Sequence, residues 1–334
     1  MTAAELVAAF WKHGEEHYRH PDGRPTGELA CFRAALRPLV ELYGSTPARD
    51  FGPLALRAVR ERMIGAEMAR GTINGHVNRV RHVFRWGAGR ELVPASVWQA
   101  RAAVEALAAG RCAAREPEPV APVTEREIEA TLPHLPAVAV ALVRFMLWTG
   151  CRPGEAVALR GRELERAGRV WCYRPALHKT AWRGKARAIW IGPQAQAVLA
   201  PFLKLDPDAP VFDAADEARE RLADRREKRK TPLYPSHVAA QERKRRGLPP
   251  GGAALESRPY TEAALRRALN RACAKAGIPP WAPNRLRHAC ATRYRREVGI
   301  EAAALALGHS DAKTTLIYAE ASERKAAELA ERLG

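Results

Sequence analysis

Residues 149–156 read Thr-Gly-Cys-Arg-Pro-Gly-Glu-Ala and separate two helical patterns in the second half of the chain. Gly150 predicts the end of one helix, because glycine commonly terminates α-helices. Pro153 and Gly154 predict the start of the next helix, since proline is tolerated in a first turn. We therefore expect Arg152 at a helix N-terminus, where free backbone N–H groups already favour an anion. A guanidinium at that place can bind a phosphate through two parallel hydrogen bonds.

A basic loop follows this segment. Two β-rich runs, Arg169–Tyr173 and Ala188–Ile191, predict a β-hairpin. The loop between them contains Lys179, Arg183 and Lys185. Cations at the tip of a hairpin are usually just solvated, so this loop indicates a functional site only in combination with the other segments.

Two further segments carry polar residues near the end of the chain. Residues 284–292 read Asn-Arg-Leu-Arg-His-Ala-Cys-Ala-Thr, and helical spacing makes Asn284 and Arg287 neighbours on one face. Farther along, Leu-Gly-His-Ser-Asp places His309 at a predicted helix start. Tyr318 ends the run Thr-Thr-Leu-Ile-Tyr, nine residues after His309.

Charge limits the partners of the chain. Its 334 residues have a formal net charge of +18, which favours a polyanion, and nucleic acid is the first candidate. An anionic membrane is the second, but no apolar run of about 18 residues is present. The six cysteines show no C-x-x-C spacing, so we expect reduced thiols and no metal site.

The first 110 residues predict an all-helical domain. The helix expected over Ile73–Trp86 has a polar face that suits either a DNA groove or a solvated surface. The cations and the histidine proposed for DNA contact on that face are Arg79, Arg81, His82 and Arg85. Apolar spacing predicts helices over Leu6–Tyr18, Leu29–Tyr43, Leu54–Met68, Ile73–Trp86 and Ala95–Leu107.

A change in composition separates a second domain. Residues 111–123 contain three prolines and no helical period, and predict a linker. Thr124 and Glu127 have the spacing of a capping box, so the second domain is expected over 124–334. It contains a basic insert at about 207–259, whose charge runs are either solvated or a second DNA contact.

The four segments TGCRPGE, LHKT, LRHACAT and LGHSDAKTTLIY, in this order, resemble the catalytic signature of the tyrosine recombinase (phage integrase) family. The resemblance covers about Thr124 to Ala321. It implies a mainly α fold with a small antiparallel β-sheet, in which a helical core-binding domain precedes a mixed α/β catalytic domain. It also implies a site-specific DNA recombinase that cleaves and rejoins double-stranded DNA without ATP, metal or cofactor. Such a protein is expected to act as a homotetramer on two duplexes and to be cytoplasmic, on the nucleoid.

The resemblance assigns roles to five residues. Tyr318 resembles the nucleophile that forms a 3′-phosphotyrosine. Arg152 and Arg287 resemble the pair that neutralises the transition state. His309 is similar to the residue that hydrogen-bonds the phosphate, and Lys179 to the hairpin lysine that protonates the leaving 5′-oxygen.

One catalytic position departs from the family pattern. The residue three before the second arginine is usually histidine, and here it is Asn284. An amide can donate a hydrogen bond to a phosphate but cannot act as a base near neutral pH. Either Asn284 keeps that hydrogen bond in a working enzyme, or the protein only binds DNA. His288 is a weaker candidate for a substitute base, and Lys185 or Arg183 is an alternative to Lys179 as the acid.

Three rival functions remain open at this point. A type IB topoisomerase would use the same chemistry on a single duplex. A non-catalytic DNA-binding protein could retain the fold. A protein of anionic membrane surfaces would bind charged vesicles more tightly than DNA.

Overall fold

The computed structural model describes residues 1–20, 23–176, 178, 186–228, 234–246 and 256–308. The chain divides into two compact units, Met1–Pro119 and Val120–Gly334. The boundary lies inside the stretch 111–123 that the sequence predicts as a linker. Among the described residues, no helix is long and apolar enough to cross a membrane.

Among its described residues, the first unit is built from helices joined by loops and isolated β-bridges, and it has no extended strand. Its first helix begins with the Thr2/Glu5 capping box, in which each side chain accepts a hydrogen bond from the other residue's backbone N–H. Phenylalanines from four parts of the unit, Phe10, Phe32, Phe51 and Phe84, meet in its core. The helices are α1 (Ala3–His17), α2 (Glu28–Tyr43), α3 (Pro53–Gly65), α4 (Arg70–Ala88) and α5 (Ala95–Ala102).

The fifth helix is shorter than the sequence predicts. The apolar spacing extends to Leu107, but the helix ends at Ala102. The cause is tertiary, because the Asn74 side chain of α4 bonds both backbone groups of Leu107, at 2.9 and 3.0 Å. These bonds replace the helical ladder for the end of the segment. The prediction of a helix over Ala95–Leu107 is therefore wrong in its last turn.

The second unit is mainly helical with one small sheet, as the sequence predicts. Its capping box is present, with Glu127 N–H donating to Thr124 Oγ1 at 3.2 Å. The helices are α6 (Glu125–Thr131), α7 (Ala137–Thr149), α8 (Pro153–Ala158), α9 (Pro193–Leu199), α10 (Ala214–Glu227), α11 (Pro235–Arg245), α12 (Glu262–Ala276), α13 (Asn284–Val298) and α14 (Ile300–Leu307). The strands are β1 (Leu164–Glu165), β2 (Trp171–Tyr173) and β3 (Ile189–Ile191).

The sheet is antiparallel in the order β1-β2-β3, so the predicted hairpin of β2 and β3 carries one additional strand. Tyr173 pairs with Ile189 and with Leu164, and its ring is fully buried. The helix α7 packs against β3 of this sheet. It buries residues on nearly every face, including Leu142 and Phe145. Each such side chain stabilises the unit by about 1.5–3 kcal/mol. The helix α13 packs against both α7 and α14, which brings the ends of these helices together.

Candidate active site

Arg152 lies where the sequence predicts it, at the N-terminus of a helix. Gly150 ends α7 with a φ of +63°, and Pro153 occupies the first turn of α8. A Cβ on Gly150 would overlap the side chain of Leu307, so glycine at this position allows Leu307 of α14 to pack closely against the end of α7. The Arg152 side chain is about one-third exposed, at 32%. It is therefore held by Glu155 while about a third of the side chain remains exposed.

Glu155 is the buried partner of Arg152. Its side chain is 3% exposed and accepts hydrogen bonds from the Arg152 backbone N–H at 2.9 Å and from its Nη1 at 2.8 Å. Burial alone would raise the pKa of Glu155, but Arg187 and both groups of Arg152 outweigh it, so the pKa lies below its ordinary value. Glu155 is therefore ionised at neutral pH.

A second arginine contacts the same carboxylate. Arg187 Nε lies 3.5 Å from Glu155 Oε1, and the Arg187 side chain is 5% exposed. Its Nη1 donates to the carbonyl of Leu307 at 2.7 Å. A Cβ on Gly308, which has a φ of +64°, would overlap the Arg187 guanidinium. Arg187 thus holds the end of α14, and the sequence analysis did not identify it.

Arg287 reaches the same end of α14 from α13. It is 1% exposed, and its Nη2 donates to the Leu307 carbonyl at 2.9 Å. Its Nη1 donates to the carbonyl of Gly150. These two bonds fix the plane of the guanidinium between the ends of α7 and α14. The sequence predicts a polar helix face for Arg287, and the structure instead buries it against backbone carbonyls.

The four side chains form what we call the arginine cluster: Arg152, Glu155, Arg187 and Arg287. They are linked in series through Glu155 and the carbonyl of Leu307. The cluster contains three positively charged guanidinium groups and one negatively charged carboxylate, so its formal net charge is +2. Buried charge is costly unless it is compensated, so this arrangement favours an anion at the cluster.

Asn284 and His288, two further residues of α13 considered for the site, have different surroundings. Asn284 is the first residue of α13 and is exposed. His288 is 7% exposed, and burial together with Arg287 and Arg285 lowers its pKa. This burial makes His288 a poor substitute base. Arg285 has a structural role, because it donates to the carbonyls of residues 121 and 122 at 2.8 and 3.0 Å.

The remaining predicted site residues of the second unit lie outside the described residues, so their placement stays a prediction. They are Lys179, Arg183, Lys185, His309 and Tyr318.

The predicted DNA-contacting residues of α4 do not share one environment. Arg79 Nε forms an ion pair at 2.9 Å with Glu28, the first residue of α2, so its side chain is directed toward that helix. Arg81 is partly buried and donates to the Asn78 side chain at 3.1 Å. His82 and Arg85 are exposed. One face of the His82 ring packs against Phe10 and Phe32, and this desolvation, followed by Arg85 and the histidines of α1, lowers its pKa, so the ring is neutral at pH 7. His82 offers a hydrogen bond there and adds no charge.

Within the described parts of the chain, no group of three or more His, Cys, Asp or Glu side chains could hold a metal ion. The arginine cluster itself contains a single carboxylate and no histidine, so its donor set fits an anion.

Comparison with known proteins gives consistent results. Residues 123–325 match the Phage integrase family. The Tn1549 transposon integrase, solved in complex with a circular intermediate DNA, is 17% identical with a TM-score of 0.61, and the match covers 100% of both chains. The lambda integrase dimer bound to a COC' core site is 15% identical with a TM-score of 0.61, covering 97% of each chain. The XerH site-specific recombinase bound to difH is 13% identical with a TM-score of 0.55, covering 98% of this chain and 84% of that one. Comparison with curated protein sequences gives no match.

The fold is therefore that of the tyrosine recombinases, which confirms the fold class that the sequence motifs imply. Because the family match spans more than half of the residues, the chain belongs to the phage integrase family. Members of this family are DNA strand transferases that cleave and rejoin DNA through a 3′-phosphotyrosine, and this is the activity class of the chain.

Proposed function

We propose that the chain is a site-specific recombinase of double-stranded DNA in which the arginine cluster binds the scissile phosphate and Tyr318 attacks it. The observation that carries this proposal is the charge balance of the cluster, in which three guanidinium groups share one carboxylate, that of Glu155, among the described residues. A phosphodiester supplies the anion that such a cluster favours. Arg152, which is more exposed than the other two arginines, makes the first contact, while Arg187 and Arg287 hold the surrounding backbone.

The chemistry needs positioning and charge stabilisation more than acid–base strength. In phosphoryl transfer, most of the rate comes from orienting the reacting groups and stabilising developing negative charge. Each guanidinium has five N–H donors in a fixed plane, so Arg152 and Arg287 can take the place of a metal ion. The hydrogen bonds of Arg287 to Gly150 and Leu307 set that plane before DNA arrives.

Tyr318 is proposed as the nucleophile that forms the 3′-phosphotyrosine. A phenol has a pKa of about 10 and becomes a good nucleophile only when a neighbour shares its proton. The phosphotyrosine bond conserves the energy of the phosphodiester that it replaces. The released 5′-hydroxyl can therefore reverse the reaction, and strand joining requires no ATP.

Three further residues complete the proposed machinery. His309 follows Gly308, whose backbone position is fixed by Arg187, and would donate a hydrogen bond to the phosphate. Lys179 would protonate the leaving 5′-oxygen. Asn284, exposed at the start of α13, would donate to a phosphate oxygen in place of the usual histidine.

We further propose that the active assembly is a homotetramer on two duplexes, located on the nucleoid in the cytoplasm. Support comes from the family, whose members recombine two sites at once. A tetramer seen only in the presence of DNA, by mass photometry or analytical ultracentrifugation, is the expected result. A complex that never exceeds one protomer on one duplex would contradict it.

Covalent trapping tests the proposed function. Genomic fragments that the protein binds specifically are selected first, and nicked duplexes of that sequence are then incubated with wild type, Tyr318→Phe and Arg152→Lys. We expect an SDS-resistant protein–DNA adduct with wild type, unchanged by EDTA, a much weaker one with Arg152→Lys, and none with Tyr318→Phe. All three proteins should bind the DNA.

Two outcomes would redirect the assignment. Specific binding without any adduct would identify a DNA-binding protein that retains the fold. Relaxation of supercoils without exchange of strands between two duplexes would identify a topoisomerase of type IB.

A further inference from the structure

The basic insert begins and ends at one anchored point. Ala214 N–H donates to the Arg258 carbonyl at 3.0 Å, and Tyr260 N–H donates to the Phe212 carbonyl at 2.8 Å. Phe212 and Tyr260 are both buried in the core of the second unit. The excursion therefore runs from residue 214 to residue 258, and its two ends are held side by side.

Asp213 organises this anchor. Its carboxylate is 1% exposed and accepts from Lys204 Nζ at 2.7 Å and from Ser257 Oγ at 2.6 Å. It also accepts from the backbone N–H groups of Ala215 at 2.8 Å and Arg258 at 3.0 Å, which caps the first turn of α10. The start of α10 is thus fixed to the body of the unit.

After Glu220, α10 extends away from the rest of the second unit. That side chain makes the last described contact of α10 with another helix, accepting from the Ala137 N–H at 3.1 and 3.4 Å. From residue 221 to residue 228 every side chain is exposed. Seven helical residues span about 10 Å, so the end of α10 projects well beyond its anchor. All described side chains of α11 are exposed as well.

The sign of the charge changes along this path. Between residues 213 and 220, four acidic residues accompany one arginine. We define the basic arm as residues 221–228 and 235–246, which contain eight Lys and Arg against three Asp and Glu. The excess is concentrated at the far ends of α10 and α11. Among the described residues, no ion pair joins Arg225, Arg226, Arg243 or Arg245 to a carboxylate.

The described side chains of the arm form no apolar face. Its large exposed aliphatic side chains, Leu222 and Val238, lie singly on different helices. A helix that docks in a protein groove or on a membrane needs a stripe of apolar residues. A helix that is polar on all sides is stabilised by charge pairing, and within the arm only Lys228 has such a pair among the described residues, so a partner can supply negative charge to the others. Regularly spaced phosphates do so without any demand on sequence.

We propose that the basic arm binds the phosphate backbone of duplex DNA next to the recombining segment, and contributes affinity without base recognition. This inference rests on the proposed function for its ligand, but the arm has no part in strand cleavage. It assigns to the insert a role as a sequence-independent clamp on flanking DNA.

The test compares two variants with the same loss of charge. The arm variant carries Arg225→Gln, Arg226→Gln, Arg243→Gln and Arg245→Gln, all at exposed positions. The control carries Arg162→Gln, Arg166→Gln, Arg169→Gln and Arg174→Gln, all exposed; the second and third lie in the turn between β1 and β2, and the other two flank these strands. Affinity for random-sequence duplex DNA is measured by fluorescence anisotropy over a series of KCl concentrations.

We expect the arm variant to reduce the slope of log affinity against log salt concentration by roughly 3 to 4, since each phosphate contact contributes about 0.9. The control should change the slope by less than about 1. In a third variant, residues 216–256 are replaced by a short Gly-Ser linker, which the anchored ends allow because they already lie together. This variant removes all eight cations of the arm, so it should reduce the slope at least as much as the arm variant.

The proposal is overturned if the arm variant keeps the wild-type slope or loses no more than the control. Covalent trapping separates this result from the proposed function. An adduct with wild-type protein together with an unchanged slope removes only the arm. A reduced slope in a protein that forms no adduct retains the arm and removes the catalytic assignment.

Discussion

Glu155→Gln removes a buried carboxylate while keeping nearly the same shape. In the wild type this carboxylate is bonded to Arg152 at 2.8 Å and lies 3.5 Å from Arg187. Arg152, 32% exposed, can turn to water after the change, so its loss is small. Arg187, 5% exposed, cannot, and it is left as a buried cation without its carboxylate. Breaking a buried pair in this way costs about 3–5 kcal/mol, and we take about 3 kcal/mol because the 3.5 Å contact is long.

Calorimetric unfolding of the full chain measures this cost. For a unit of this size, about 3 kcal/mol lowers the melting temperature of the second unit by roughly 6–12 °C. The matched control is Glu165→Gln, since Glu165 pairs with Arg174 at 2.6 Å but both side chains are more than half exposed. An exposed pair of that kind contributes about 0–1 kcal/mol. Equal, small effects of the two substitutions would refute the argument that burial makes the Glu155 pair strong.

The same experiment has a pH dependence of known sign. The pKa of Glu155 is lowered in the folded state, so the folded protein binds this proton less readily than the unfolded chain. Its stabilising contribution is present above the unfolded value of about 4.3 and is lost as pH falls through the folded pKa. The difference between wild type and Glu155→Gln should therefore be constant near neutral pH and shrink below about pH 4. A difference that persists unchanged in acid would show that charge is not its cause.

Two further predictions concern the stability of the second unit, tested by Gly308→Ala with Gly277→Ala as its control, and the rate of cleavage, tested by Asn284→Ala. Gly308→Ala should destabilise the second unit by at least about 2 kcal/mol in urea unfolding, because it combines a left-handed backbone with displacement of Arg187. Gly277→Ala, also left-handed at a helix end but with open space around it, should cost only about 1 kcal/mol, and equal losses would dismiss the contact with Arg187. Asn284→Ala should lower adduct formation about 10- to 100-fold, the value of one hydrogen bond to a charged group, and leave DNA affinity unchanged. Unaltered cleavage would remove Asn284 from the site.

The parts of the fold that the sequence predicts well are those set by local chemistry. Gly150 and Pro153 determine a helix end and a helix start within four residues, so the position of Arg152 follows from the sequence alone. The capping box at Thr124 is equally local. In each case, the residues that decide the structure are adjacent in the chain.

The features that the sequence does not reveal depend on contacts between distant residues. Arg187 precedes β3 without any motif, and its importance comes from Leu307, 120 positions away. The early end of α5 depends on Asn74, 33 positions before Leu107. Helical spacing groups Arg79 with the other polar residues of α4, whereas the pairing with Glu28 becomes visible only when α2 packs against α4.

The role of Tyr318 as nucleophile is tested most directly by identifying the residue that is covalently bound to the DNA. The trapped adduct is digested with nuclease and trypsin, and the peptide that retains a nucleotide is sequenced by tandem mass spectrometry. We expect the nucleotide on the peptide of residues 314–324, with the phosphate on Tyr318. A nucleotide attached to any other residue, or to Thr314 or Thr315 of the same peptide, would contradict the central claim that Tyr318 is the nucleophile.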